Sequence, residues 1–89
     1  MSVDDVTAEA AADSLRDLVR TRRMLPSPVI RRAIREAAGA SQADVGRSLR
    51  VSRATVCRWE SGKQTPRGEH LAGYVRALAE MSSVDLSAL

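Results

Sequence analysis

The stretch from Gln42 to Gly62 constrains the fold most, because it encodes two short amphipathic helices with almost no chain between them. Ser41 is placed to cap the first helix and Ser52 to cap the second. Apolar residues at helical spacing lie on one face of each helix, and one more lies in the connection: Val45, Leu49, Val51, Val56 and Trp59. A connection of about three residues makes the helices cross sharply around one small core.

The opposite face of the second helix is polar and basic, and packing does not need it. It carries Arg53, Ala54, Cys57, Arg58 and Ser61. Arginines on the exposed side of a short capped helix suit the major groove of double-stranded DNA, where they read guanine O6 and N7. We therefore predict a recognition helix over residues 53–61 with base contacts from Ser52, Arg53, Ala54 and Arg58. For the two arginines, phosphate contact without base reading is the alternative.

Residues 42–62 resemble the helix-turn-helix of the phage repressor and Cro proteins, also called the xenobiotic-response-element family. The likeness covers roughly residues 29–81 and is carried, at the family's spacing, by Arg35, Gly39, Ser41, Gln42, Val45, Leu49, Val51, Ser52, Thr55, Val56, Arg58, Trp59, Glu60, Gly62 and Pro66. The resemblance implies an all-α, lambda-repressor-like bundle of four to five helices, to which this chain adds an N-terminal helix. It also implies an ion pair between Arg35 and Glu60 that fixes the angle of the recognition helix.

Two positions depart from the family's pattern. Gly46 stands where the family usually has Ala, a small residue at the point where the second helix crosses; Gly costs roughly 0.5–1 kcal/mol against Ala in helix propensity. Arg50 stands at a turn position where the family often has Gly in left-handed backbone, which costs a non-Gly residue about 1–2 kcal/mol. Both departures predict a module of modest stability.

Further residues are predicted to hold the DNA backbone. Gln42 begins a helix whose amide groups point at a phosphate, and the matching glutamine in the family also braces the recognition helix. Thr55 either hydrogen-bonds a phosphate or only helps to cap and pack its own helix. The full set of predicted phosphate contacts is Gln42, Thr55, Ser61, Lys63 and Arg67. Such contacts position a protein on DNA without reading its sequence.

The charge distribution supports a nucleic-acid partner. Residues 27–81 carry nine Arg and Lys63 against five acidic residues, a net +5, whereas the whole chain is +3. With one Trp, one Tyr and no Phe, stacking on single-stranded bases has little support. One Cys, no long apolar run and an acidic N-terminus predict a cytoplasmic protein with no membrane contact.

The chain divides by its helix breakers into an N-terminal helix (1–26), a DNA-binding domain (27–81) and a short tail or last turn (82–89). Thr7 is placed to cap the first helix, whose apolar residues share one face: Ala8, Ala11, Ala12, Leu15, Leu18 and Val19. We expect this helix to serve as a dimerisation or docking arm, a frayed arm being the alternative.

The helices flanking the motif are read from their caps and periodicity. One runs from Val29 to Ala38, entered by Ser27-Pro28, with Ile30, Ala33, Ile34 and Ala37 inward and Arg31 and Arg32 outside. Another spans Arg67 to about Met81 with the core stripe Leu71, Tyr74, Val75 and Leu78. Ser83 is placed to cap one further turn, with Leu86 and Leu89 packed on the core or a partner.

Nothing in the sequence predicts an enzyme. There is no nucleophile–base set, no Gly-rich phosphate loop and no cluster with metal-ligand spacing, so no cofactor and no metal are expected. His70 stands alone, and Cys57 is best read as a small neutral residue of the groove-facing side.

The leading interpretation is therefore a sequence-specific double-stranded DNA-binding regulator of transcription. The resemblance implies a bacterial or phage repressor, and we expect a homodimer on a palindromic operator. The alternative is an antitoxin of the same fold, with the helix before Met24 as the element that binds a protein partner.

Overall fold

The computed structural model describes the backbone of residues 3–87 and the side chains of residues 12–83. Five helices span this part of the chain: α1 (Val3–Met24), α2 (Pro28–Ala37), α3 (Gln42–Leu49), α4 (Arg53–Ser61) and α5 (Gly68–Ser87). All regular structure between residues 3 and 87 is α-helical, which confirms the predicted fold class. None of these helices has the length and apolar character needed to cross a membrane.

The hydrophobic core lies where α3, α4 and α5 meet, and it contains the residues that helical spacing predicted. The most deeply buried apolar side chains are Val45, Val56, Trp59, Leu71, Tyr74, Val75 and Leu78. Leu49, Val51 and Ile34 pack against them while remaining partly exposed. The rings of Trp59 and Tyr74 lie 4.8 Å apart in a tilted arrangement that aromatic pairs favour.

The start and end of α2 follow the predicted chemistry, shifted by one residue. Ser27 is the N-cap in extended backbone and Pro28 occupies the first turn, where its missing amide hydrogen costs nothing. Gly39 takes a positive φ of 75° just after the helix, and its amide donates to Glu36 O at 3.0 Å. This left-handed residue turns the chain towards α3.

The predicted inward face of α2 is wrong in part. Ile30 is 49% exposed and Ala33 and Ala37 are exposed too, whereas Ile34 packs on the core as expected. Arg31, predicted to point outward, is 8% exposed. The reason is chemical: α2 faces the backbone carbonyl of Trp59 and the carboxylate of Glu60 on α4, and these buried acceptors need hydrogen-bond donors.

The crossing of α3 over α4 depends on the backbone at two positions. A Cβ placed on Gly46 would lie 2.8 Å from the carbonyl oxygen of Val51, so the close approach expected here leaves no room even for Ala. Arg50 ends α3 with φ 59° and ψ 41°, the left-handed conformation predicted for this turn. A non-glycine residue pays for that conformation with about 1–2 kcal/mol.

The outer helices are longer than predicted. α1 begins at Val3, so Thr7 lies inside the helix and does not cap it. α5 continues without a break through Ser83 to Ser87, so Ser83 does not start a separate turn; its hydroxyl donates to Ala79 O instead. The expected packing of Leu86 and Leu89 lies outside the side chains that the structure describes.

Candidate nucleic-acid interface

One face of α4 packs on the hydrophobic core, and the opposite face is exposed. Ser52 is the N-cap, and its hydroxyl accepts a hydrogen bond from the amide of Thr55 at 3.1 Å. Val56 and Trp59 are 0% and 1% exposed, so they fix the helix on the core. Gly62 closes α4 in left-handed backbone with φ 77°.

The free face of α4 consists of the five residues that the sequence placed there, Arg53, Ala54, Cys57, Arg58 and Ser61, all of them exposed. At about 100° per residue, the three small side chains form the middle of this face and the two arginines form its edges. A helix with a narrow middle approaches the floor of a major groove closely, while long donors at its edges reach base edges or phosphates.

Arg58 is held in place on this surface. Its Nε donates to Gln64 Oε1 at 3.0 Å, and one terminal nitrogen donates to the hydroxyl of Thr55 at 3.2 Å. That hydroxyl lies 2.9 Å from the hydroxyl of Ser52, so four side chains form a chain of hydrogen bonds along one edge of α4. Gln64 was not among the predicted site residues, because a contact across six residues and a loop leaves no periodic signal in sequence.

Arg53 lies at the opposite edge, beside the start of α3. It lines a polar groove together with Gln42, and the remaining lining residues are Arg32, Arg35, Ser41 and Ala43. The side-chain amide of Gln42 is already engaged, since it donates to Glu60 Oε1 at 3.2 Å. A phosphate at this groove would therefore meet the backbone amides that begin α3 and the guanidinium of Arg53.

A second basic group lies beyond the C-terminal end of α4. Lys63 and Arg67 line one depression with Gln64 and His70, and all four residues are exposed. Ser61 is exposed as well, and its hydroxyl donates to Arg58 O at 3.2 Å. The predicted phosphate contacts thus lie beside the start of α3 (Gln42), on α4 itself (Thr55 and Ser61) and beyond the C-terminal end of α4 (Lys63 and Arg67).

A buried ion pair sets the position of α4 in the fold. Arg35 of α2 donates from Nε to Glu60 Oε2 at 2.5 Å and from Nη2 to Glu60 Oε1 at 2.9 Å, and these are the residues that the resemblance pairs. Gln42 of α3 donates to the same carboxylate, so one side chain of α4 joins three helices. Arg35 also donates to Ala40 O at 2.9 Å in the turn before α3.

The carboxyl of Glu60 is kept ionised by these partners. Burial raises its pKa, but hydrogen bonds from Arg35 and Gln42 together with the charges of Arg35 and Arg32 outweigh burial and hold the pKa below its ordinary value. The pKa of Arg35 is raised, chiefly by its hydrogen bonds to Glu60. The pair is therefore charged throughout the neutral range.

Arg31 performs a structural role that the sequence did not reveal. Its Nε donates to Pro26 O at 2.7 Å, and its Nη1 donates to Trp59 O at 2.9 Å. The carbonyl of Trp59 is among the last four of α4, which have no partner within the helix. A buried cation at this end also complements the helix dipole, so Arg31 stabilises the C-terminal end of the candidate recognition helix.

The comparison with protein families bears directly on this arrangement. The family model described as a helix-turn-helix domain matches residues 32–89, about two thirds of the chain. The chain belongs to the helix-turn-helix domain family. Comparison with curated proteins and with solved structures gave no significant match.

The matched region of this helix-turn-helix domain begins within α2 and contains every predicted contact residue. It contains both members of the Arg35–Glu60 pair and both basic groups, whereas α1 lies wholly outside it. Helix-turn-helix domains are DNA-binding modules whose second motif helix enters the major groove. In this chain the second helix of the motif is α4.

Proposed function

We propose that this chain is a sequence-specific regulator of transcription of the phage repressor and Cro type, which acts in the cytoplasm as a homodimer on a palindromic operator. Repression follows from occupancy of the operator, with no catalytic step, metal or cofactor. The observation that carries the proposal is the free face of α4, where Arg53 and Arg58 flank three small residues on a helix anchored by Val56 and Trp59. That surface meets the requirements of major-groove reading.

In this proposal one set of residues reads base edges and another set binds phosphates. Arg53, Ala54 and Arg58, with Ser52 at the cap, read base edges. Phosphates are bound by the start of α3, at Gln42, by Thr55 and Ser61 on α4, and by Lys63 and Arg67 beyond the C-terminal end of α4. The support is geometric: one basic group includes Arg53 at the start of α4 and the other follows the end of α4, so basic residues lie at both ends of this helix.

The test is selection of bound sites from random double-stranded DNA by the wild-type chain, followed by affinity measurements on the selected site. Arg53→Ala and Arg58→Ala should each cost about 1–3 kcal/mol and relax the preference at one position of each half-site. Lys63→Ala should weaken binding to all DNA sequences alike, and it should reduce the slope of log affinity against log salt concentration by the amount expected for about one phosphate contact.

A matched control removes the same charge elsewhere. Arg76 is an exposed arginine of α5 that lines neither basic group, so Arg76→Ala should leave both affinity and preference unchanged. Selection of no common site by the wild type would refute sequence-specific binding. Unchanged preferences in both arginine variants would refute base reading by Arg53 and Arg58.

A further inference from the structure

The described part of the apolar stripe of α1, from Ala12 to Val19, is not covered by the other side chains that the structure describes. Leu15 is 61% exposed, Leu18 37% and Val19 42%, and every side chain from Ala12 to Arg20 is exposed. α1 meets the body of the fold at its C-terminal end, where Thr21 and Leu25 are partly buried. The stripe therefore projects from the domain on a helix of 22 residues, about 33 Å long.

The charges of α1 are separated along its length. From Met1 to Ser14 the sequence has four acidic residues and no basic one, and from Arg16 to Arg23 it has four arginines against Asp17. Among the described side chains of α1 the only ion pair is Arg16–Asp13, with both side chains about three quarters exposed. Arg20, Arg22 and Arg23 have no carboxylate partner among residues 12–83.

We propose that α1 pairs with α1 of a second copy of this chain in antiparallel orientation. In that arrangement the acidic half of each helix lies along the basic half of the other, and the two stripes bury each other. A parallel pair would place acid against acid and arginine against arginine, which is repulsive on both sides. The inference rests on the proposed homodimer and specifies which surface forms it.

In this pairing the distance between the two points where the bodies are attached is similar to the spacing of operator half-sites. If the two helices pair around the midpoint of the stripe from Ala8 to Val19, Leu25 lies about 17 Å from that midpoint. The two bodies are then attached about 35 Å apart, at opposite ends of the helix pair. Half-sites of helix-turn-helix dimers lie about 34–36 Å apart, one turn of DNA. A parallel pair would attach both bodies at the same end.

The composition of the stripe predicts how the pair responds to salt. Three of its six residues are Ala, which allow close approach but bury little apolar area. Attraction between exposed charges therefore contributes a large share of the free energy of dimerisation, and salt screens this attraction. Dimerisation measured by sedimentation equilibrium without DNA should weaken severalfold between about 0.05 and 0.5 M salt.

Charge-reversal variants of the full chain test the surface. The first variant, Arg16→Glu/Arg20→Glu/Arg23→Glu, leaves Arg22 as the one basic residue in the sequence of α1. The second, Asp4→Lys/Asp5→Lys/Glu9→Lys, gives the first half of α1 three lysines against Asp13. Each variant alone should dimerise at least about tenfold more weakly than the wild type, and the equimolar mixture should recover dimers. A wild type that stays monomeric, or variants that dimerise as the wild type does, would overturn the proposal.

Disulfide trapping tests the orientation. In a Cys57→Ser background, which removes the chain's one thiol, Ala8→Cys and Val19→Cys variants are mixed and oxidised. The antiparallel pair brings position 8 of one copy to position 19 of the other, so mass spectrometry should find chiefly the mixed disulfide. A predominance of the two like-with-like disulfides would establish the parallel arrangement and overturn the proposal.

The same variants separate this inference from the proposed DNA binding. Binding of a single half-site depends on α4, so both charge-reversal variants should retain the base preferences of the wild type. Circular dichroism checks that they remain helical. Loss of dimers with intact half-site preference supports the α1 interface, whereas dimers that form normally without any sequence preference would refute the proposed function alone.

Discussion

Replacement of Glu60 by Ala should be among the most damaging single changes in this domain, although Glu60 is a charged residue. The Glu60 side chain is 4% exposed and that of Arg35 is 11% exposed, so neither charge has access to much water. Without the carboxylate, Arg35 keeps its bond to Ala40 O and a longer contact of 4.0 Å with the half-exposed carboxylate of Glu36, and Gln42 loses its partner. A buried charge that has lost its bidentate partner is the dominant penalty in such a variant.

The magnitude follows from that geometry. Breaking a buried pair by removing one partner costs about 3–5 kcal/mol. A domain of 89 residues has an unfolding free energy of about 4–13 kcal/mol, so Glu60→Ala removes a large part of it. Replacing both partners with apolar residues leaves no stranded charge, and Arg35→Met/Glu60→Met should lie within about 1–2 kcal/mol of the wild type, the remainder reflecting the lost hydrogen bonds of Ala40 O and Gln42.

The assay is urea unfolding, monitored by circular dichroism, of the wild type, of Glu60→Ala, and of the cycle made by Arg35→Met, Glu60→Met and Arg35→Met/Glu60→Met. The coupling energy of this cycle should be at least about 3 kcal/mol. Arg32→Ala is the matched control, because it breaks an exposed pair with Glu36 and should cost less than about 1 kcal/mol. If Glu60→Ala costs no more than Arg32→Ala, the reasoning from burial is refuted.

Four further outcomes are expected in the same unfolding assay. Gly46→Ala should lose about 1–3 kcal/mol despite its better helix propensity, because its Cβ meets the Val51 carbonyl at 2.8 Å; a gain would refute the contact. Arg50→Gly should gain about 0.5–1 kcal/mol by relieving left-handed backbone, and a loss would contradict that strain. Tyr74→Phe should raise the free energy of unfolding by about 1 kcal/mol, since the buried hydroxyl has no hydrogen-bond partner among residues 12–83 and burial raises its pKa to about 12. A clear loss of stability would show that the hydroxyl has such a partner. The pKa of folded Glu60 lies below its ordinary 4.5, so the ion pair contributes fully to the free energy of unfolding above about pH 5, and this contribution is lost as pH falls through the folded pKa. Arg35→Met/Glu60→Met should not show this loss of stability.

The parts of the fold that follow from local rules were predictable from the sequence. The caps at Ser41 and Ser52, the turn at Gly39 and the core stripe of α5 each depend on residues a few positions apart, and the structure has them where spacing indicated. The strain at Arg50 followed from a steric rule that holds for any L-residue.

Arg31 of α2 shows why residue spacing alone did not predict which side chains of this helix are buried. Periodicity places Arg31 on a face but does not say what that face meets, and a charged residue is assigned to solvent by default. In the structure Arg31 meets the carbonyl of Trp59 at the end of α4, 28 residues further along the chain. A guanidinium carries five donors on a long apolar stem, so it satisfies that carbonyl while remaining buried.

The residues that place α4 and the residues that touch DNA in our proposal overlap little, and this has a consequence for how operator preference changes. Arg31, Arg35 and Glu60 hold the helix and are buried, whereas Ala54 and Cys57 are exposed in the middle of its free face. Substitution in that middle alters what meets the base edges and leaves the contacts that hold the helix intact. Arg58 is the exception, because its hydrogen bonds to Thr55 and Gln64 tie its orientation to the N-cap at Ser52 and to the loop after α4. If α4 reads an operator as we propose, operator preference is free to change at the centre of this helix and is coupled to local structure at the edge where Arg58 lies.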